Sequence, residues 1–381
     1  MNIKTTTDAL KRALSAASKA VAPRSPLPVL TGVLLSTNDD GQVRVASTDL
    51  EIGITTHIPA YIEQPGQMCL PAKLLSDVIG GLPNGNVTLV WDIETHAATV
   101  TCGRFRSTIK GYDPQDFPSV PHNSDGGTLA TFWAADLRRA IDQVALAAAT
   151  DDSRPVLTGV LFRLKDEIVT LVAADSFRLA VRTLLPPDGY TQSCMDDHEY
   201  IIPARALSEW SSITGKHEPD ALVSIGVRDT QIVLDAPGVS LVSRIIDGKF
   251  PNFERIIPQQ HTTRVLVDTA VLRKAVKHAA LFAQQEILKL TVTPGTDGIP
   301  GKVTVAANTW EVGDSTVEVD AIVNGDGGQI ALNAKFLEQC LGAIGTGQAA
   351  MEMQDAEKPA VFHPVGQEDA YTHIVMPMSI R

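Results

Sequence analysis

The sequence predicts an α+β protein in which one domain plan is written three times, and three observations predict it. Pro28-Val29-Leu30-Thr31-Gly32-Val33-Leu34 recurs unchanged at Pro155-Val156-Leu157-Thr158-Gly159-Val160-Leu161. The copies start 127 residues apart, and the 381-residue chain is three times that length. Each third also opens with one helix signature: Leu10-Lys11-Arg12-Ala13, Leu137-Arg138-Arg139-Ala140 and Leu272-Arg273-Lys274-Ala275. Self-similarity at a fixed period marks a repeated structural unit.

The elements follow in order within each third. Leu10, Ala13, Leu14, Ala17 and Val21 recur at spacings of three and four, which puts them on one face of a helix and leaves the basic pair off it. Asp8, Asp136 and Asp268 stand near the three helix starts, where unpaired N–H groups favour carboxylates. The repeated heptapeptide reads as a sheet strand, with a diverged third counterpart near residues 286–292. Alternating or β-branched runs at 43–47, 52–58, 168–173 and 303–307 read as further strands. A second helix entry repeats at Pro71-Ala72-Lys73-Leu74-Leu75, Pro203-Ala204-Arg205-Ala206-Leu207 and Asn333-Ala334-Lys335-Phe336-Leu337. Strands at 87–91, 97–101, 222–227 and 231–234 follow it. The turns between strands are too short for crossover helices, so the sheets are mostly antiparallel. Pro- and Gly-containing stretches at 118–127 and 258–263 divide the chain into domains at 1–125, 128–258 and 262–381.

Composition narrows the function. Hydrophobic residues make up 44% and charged residues 20%, as in ordinary globular chains. No apolar run approaches the roughly 20 residues that span a bilayer, and the N-terminus lacks the apolar stretch of a secretory signal, so a cytoplasmic location and no membrane partner are expected. Cys69, Cys102, Cys194 and Cys340 are dispersed, which argues against a disulfide framework or a zinc site. The formal net charge of −12 argues against a broad electrostatic grip on nucleic acid.

Catalytic signatures do not emerge. Gly215-Lys216-His217 lacks the rest of a phosphate-binding loop, and Gly345-Thr346-Gly347-Gln348-Ala349-Ala350 follows a helix and enters a strand, the reverse of a dinucleotide site. The histidines are scattered. Asp49 and Asp175 hold matching places at strand ends and read as turn formers bonding nearby N–H groups. No cofactor, metal site or catalytic residue is expected.

Several segments, in order, resemble one family. Leu27-Pro28-Val29-Leu30, Ser47-Thr48-Asp49-Leu50-Glu51, Ala173-Ala174-Asp175-Ser176-Phe177-Arg178-Leu179-Ala180, Ser243-Arg244-Ile245-Ile246-Asp247-Gly248-Lys249-Phe250-Pro251 with Arg255-Ile256-Ile257-Pro258, and Ile374-Val375-Met376-Pro377-Met378 are similar to the bacterial DNA polymerase III β subunit, the replication sliding clamp. The resemblance runs the length of the chain. It implies the DNA clamp fold: two chains, joined head to tail, form a six-domain ring around double-stranded DNA. The implied role is a non-enzymatic processivity factor, an accessory subunit without a catalytic site. Implied partners are the replicative DNA polymerase alpha subunit, the clamp-loader complex and other proteins of repair and replication carrying a clamp-binding motif. A ring linked topologically to DNA needs only a mildly positive inner wall, which answers the acidic net charge. The helices starting at Asp8 and Asp268 each carry three Lys or Arg against one Asp, while the one at Asp136 balances. Two alternatives stand beside this reading: a cytoplasmic enzyme with a cryptic inter-domain active site, and a self-assembling scaffold that never meets DNA.

The resemblance also implies sites. DNA contacts fall on Arg24, Arg154, Lys11, Arg12, Arg138 and Arg273, with Asp151 and Asp152 departing from a phosphate-facing pattern beside Arg154. A peptide-binding pocket comprises Leu157, Ala174, Phe177, Arg178, Leu179, Pro251, Arg255, Ile256, Asn333, Phe336, Ile374, Val375, Met376, Pro377 and Met378. Its chemistry suits a short linear peptide: an apolar floor, a few orienting polar groups and adaptable methionines. Ser176-Phe177 departs from the small-plus-histidine pair of some relatives, and segment 284–288 is shorter than in some clamps. Leu281 and Phe282 match apolar dimer-interface positions. Within the heptapeptides, Leu157 is expected to face the pocket, whereas Leu30 has no such role.

Overall fold

A computed structural model describes residues 1–22, 24–38, 40–120, 127–187, 198–215, 218–283, 286–296, 299–309 and 313–379. Its helices are α1 (Thr7–Ala17), α2 (Ala72–Gly80), α3 (Ala134–Val144), α4 (Ala204–Thr214), α5 (Thr269–Ala280) and α6 (Ala334–Ile344), two per third as expected. The caps follow local chemistry. Thr6 accepts from Ala9 N, Asp268 from Val271 N and Asn333 from Phe336 N, while Asp8 and Asp136 lie in first turns. Leu10, Ala13, Leu14 and Ala17 of α1 are buried in the core of the first third. Leu137, Leu272 and their neighbours do the same for α3 and α5.

The repeated heptapeptide corrects one expectation. Its first half is not strand: Pro28–Thr31 and Pro155–Leu157 are 3₁₀ turns, and strands begin only at Gly32 and Gly159. Proline has no N–H to give a ladder, and its fixed φ suits the start of a helical turn. Thr31 and Thr158 then close the turns by donating to the Pro28 and Pro155 carbonyls at 2.7 and 2.8 Å. The third counterpart is the strand Ile287–Thr293, in the same sheet position.

Every strand pairing among the described residues is antiparallel. The described residues form sheets of five, eight and twelve strands. Two pairings join different thirds: Val239–Arg244 adds to Ile52–Pro59, and Tyr371–Val375 adds to Arg178–Leu184. Because these ladders run across the repeats, packing divides the chain into two compact units. One holds Met1–Ala135 with Ala206–Ile245; the other holds Asp136–Leu185 with Ile246–Arg381. Among the described residues no helix is long and apolar enough to cross a membrane. Cys69, Cys102 and Cys340 are free and buried; Cys194 lies outside the described residues.

Candidate functional site

The site grows from the turn at Pro155–Leu157 in the second unit. Leu157, Ala174, Leu179 and Ile374 pack with Phe250 and Phe253 in one buried apolar cluster. Four of the expected pocket residues are thus floor or core. Leu30, the first-third counterpart of Leu157, is buried in its own cluster with Phe117 and Val120.

Above that floor, Asp175 shapes the turn into the strand Arg178–Leu184. Its Oδ1 accepts from Phe177 N at 2.7 Å and Arg178 N at 2.9 Å, as Asp49 Oδ1 does from Glu51 and Ile52. The reading of both as turn formers holds. Asp175 Oδ2 also takes Arg178 Nε at 3.0 Å. The Arg178 guanidinium, itself buried, donates further to Gln339 Oε1 and stands 4.4 Å over the Phe336 ring. Phe336 in turn stacks with Phe177 at 6.3 Å between centroids, and Phe177 is 52% exposed. A cation over a ring face, tied at both ends by hydrogen bonds, fixes an aromatic wall.

The C-terminal segment is tied to the same strand and turn by its backbone. Val375 sits in the ladder opposite Arg178. Met376 N then donates to the Phe177 carbonyl and Met378 N to the Ala331 carbonyl, both at 2.8 Å. Met376, Pro377 and Met378 are half-buried. Asn333 is the cap of α6, and its amide also donates to Glu286 at 3.2 Å.

A cavity of about 390 Å³ opens here, onto which the structure brings Leu157, Phe177, Arg178 and Phe336 together. Asp151, Arg154, Glu286 and Lys335 add charge of both signs to its lining. Asn333 and residues 374–378 are not among its lining residues, and neither are Pro251, Arg255 and Ile256. The last three are exposed on a loop held by buried Phe253, over which Arg163 stands while paired to Glu199 and Glu254. Sequence reading missed Gln339, whose one signal is its position three residues after Phe336 on α6. Residues 284–285 of the short segment lie outside the described residues.

The cationic candidates differ from one another. Arg24, Arg154 and Arg12 are exposed, and Arg138 is half-buried. Lys11 donates to the Leu82 carbonyl at 3.3 Å. Arg273 is committed to Glu338 at 2.7 Å, with Lys277 beside it at 3.3 Å, so the third repeat's first helix presents less free charge than its sequence suggests. Burial alone would raise the Glu338 carboxyl, but hydrogen bonds from Arg273 and Lys277 hold it below the ordinary value. Lys19 likewise pairs with Glu209 at 2.6 Å. Leu281 is 74% exposed at the end of α5, with Phe282 partly covered beside it.

Comparisons with known proteins point one way. The family described as DNA polymerase III beta subunit matches in three successive parts: its N-terminal domain over residues 1–121, its central domain over 132–252 and its C-terminal domain over 254–379. The Beta sliding clamp of Synechocystis sp. is 32% identical over 384 residues, covering 97% of each chain. That of Streptomyces coelicolor is 28% identical over 100% of each. Among solved structures, the DNA polymerase sliding clamp from Bacillus subtilis matches with a TM-score of 0.91 at 25% identity. The DNA polymerase III subunit beta from Pseudomonas aeruginosa matches at 0.88 and 28%. Each covers 100% of both chains.

Proposed function

Because the chain belongs to the DNA polymerase III beta subunit family, the beta sliding clamps, we propose that it serves replication by topology rather than by grip. It is a ring-shaped DNA replication clamp, a processivity factor that tethers the replicative polymerase to duplex DNA. Its three domains are 1–125, 128–258 and 262–381, and its role is that of an accessory subunit with no chemistry of its own. Tethering raises the polymerase's effective concentration at the primer end, so each peptide contact can be on the order of micromolar and still serve.

The observation that carries the ring is an incomplete repeat. The pairings of Val239–Arg244 with Ile52–Pro59 and of Tyr371–Val375 with Arg178–Leu184 join successive thirds. The remaining members of this series are Phe105–Lys110, an outer strand of the five-stranded sheet, and Gly313–Gly325. The latter pairs with Thr263–Asp268 only from Ala321 onward, so among the described residues the stretch 314–320 has no strand on that side. Open edges invite pairing. A second copy supplies the missing pairing at each end, and two identical head-to-tail contacts close the ring. Leu281, with Phe282, then meets the partner chain at α2, where Leu74 is exposed, as Lys19 meets α4 within one chain.

Arg24, Arg154, Lys11, Arg12 and Arg138 give the inner wall its positive groups, with Arg273 held back by Glu338. The cavity at Leu157, Phe177, Arg178 and Phe336 receives linear peptides of the replicative polymerase alpha subunit, the clamp loader and repair proteins. Its volume lies in the usual range for ligand sites. The test is to load the protein onto nicked circular DNA with a clamp loader and then linearise the circle. Salt-resistant retention on the circle and release after cutting are expected; equal retention on both forms excludes the topological mechanism.

A further inference from the structure

A second cavity, of about 420 Å³, lies in the first unit between α1, α4, the strand Ile52–Pro59 and the turn at residues 237–239. Its lining is largely alkyl, with Ala13, Ala16, Ile58 and Val239 among the contributors, and Arg12 borders it. Arg12 is exposed, and among the described residues it has no ion-pair or side-chain hydrogen-bond partner. Thr56 also lines the cavity; it is 5% exposed, and its hydroxyl has no hydrogen-bond partner. A buried hydroxyl without a partner is unfavourable unless something reaches it.

The internal repeat shows what fits this space. The shared helix signature places Arg139 and Gln143 of α3 where α1 has Arg12 and Ala16. The ladders place Arg182 opposite Tyr371 where Thr56 stands opposite Val239. The next inter-strand bond matches too: Thr183 N to the Ala370 carbonyl at 2.9 Å, and His57 N to the Gly238 carbonyl at 3.3 Å. In the second copy the space is filled by the protein itself. Tyr371 is 1% exposed and donates to the Gln143 carbonyl at 3.0 Å, while Gln143 Nε2 reaches the Ala343 carbonyl at 2.8 Å. An aromatic ring with a polar tip completes one copy, and Ala16, Thr56 and Val239 are too small to do so in the other.

We propose that this cavity binds a small aromatic anion. The ring takes the place corresponding to that of the Tyr371 ring in the second copy, against the alkyl lining beside Thr56, and a carboxylate or phosphate pairs with Arg12. Arginine offers an anion two parallel donors, which orients the ligand as well as holding it. Burial of the ring supplies most of the affinity. This site is separate from the peptide cavity, which lies in the other unit.

The test uses the full chain and saturation-transfer NMR with 4-hydroxyphenylacetate as probe, and tyramine as a cation of the same ring. Wild type is expected to transfer saturation to 4-hydroxyphenylacetate with a Kd of about 1 mM or below, and to tyramine at least about tenfold more weakly. Val239→Tyr, which installs the second copy's ring, abolishes the signal. Ala16→Gln, which fills the space from the helix side, does the same should the first variant misfold. Arg12→Gln weakens binding about tenfold. The proposal is overturned by no transfer to wild type at millimolar probe, by equal binding of tyramine, or by a signal that survives both filled variants. A signal lost only in Phe177→Ala also overturns it, because the probe then sits in the peptide cavity.

Discussion

The backbone N–H of Met376 donates to the carbonyl of Phe177 at 2.8 Å, and this bond repeats the one from Arg244 to Glu51 at 3.1 Å in the preceding copy. The scaffold therefore supplies the same anchor twice. After Arg244 the chain runs on toward the next domain, whereas after Met376 come half-buried Pro377 and Met378, with Met378 held again by its backbone. The tail is thus fixed by backbone bonds at Met376 and Met378.

Deleting residues 376–381 removes both backbone anchors but leaves Val375 in its ladder with Arg178 and Ala360. The truncated protein is expected to remain a dimer by sedimentation and to bind a Leu- and Phe-containing peptide at least about tenfold more weakly by fluorescence anisotropy. A monomeric or unfolded product shows instead that the tail is structural.

Arg178 lines the cavity and also holds its aromatic wall in place. Arg178→Ala leaves the Asp175 carboxylate and Gln339 without their shared partner and takes the cation off the Phe336 ring. Removing one member of a buried, hydrogen-bonded pair costs roughly 2–4 kcal/mol. Urea unfolding should show that loss, with peptide affinity falling alongside it. Phe177→Ala, at an exposed ring, should weaken the peptide and leave the urea midpoint nearly unchanged.

These contrasts show what the sequence made legible. The helices, most strands and the antiparallel pairing follow from periodicity, capping and short turns, because those are local effects. The heptapeptide misled because identity between copies says nothing of conformation; the leading proline decided it. Phe177, Arg178 and Phe336 were reachable through resemblance, but the bond from Arg178 to Gln339 spans 161 residues and has no local signature. Arg273 looked like a free cation for the same reason, since Glu338 lies on another helix.

His373 should make the second unit sensitive to acid. It is fully buried, with Nδ1 2.9 Å from the Tyr371 hydroxyl; burial first, and the Arg178 charge second, push its pKa down to about 3. Unfolded, it titrates near 6.5. Its contribution is therefore complete above about pH 6.5 and is lost as pH falls toward 3, because the unfolded chain takes up a proton that the folded one refuses. Between pH 6.5 and 5 that amounts to about 2 kcal/mol. Urea unfolding of His373→Gln at pH 7.5 and 5 should show a correspondingly smaller acid loss than wild type. An identical loss in both proteins would mean that His373 does not titrate on unfolding.

Leu281 tests ring closure most directly. At the corresponding place just after α1, Lys19 reaches Glu209 on α4 at 2.6 Å within the chain, whereas Leu281 has no such cover and is 74% exposed. If a partner chain's α2 covers it, an aspartate there buries an unpaired charge among apolar groups, which is strongly unfavourable. Leu281→Asp should therefore weaken the dimer at least about a hundredfold, a change of about 2.7 kcal/mol. Sedimentation at micromolar concentration should give one chain mass of 40.7 kDa for the variant and twice that for wild type. Its circular dichroism and urea midpoint should remain those of a folded chain, because the side chain faces solvent in the single subunit. A variant that stays dimeric would place the contact elsewhere, and a wild type that sediments as one chain would exclude the ring.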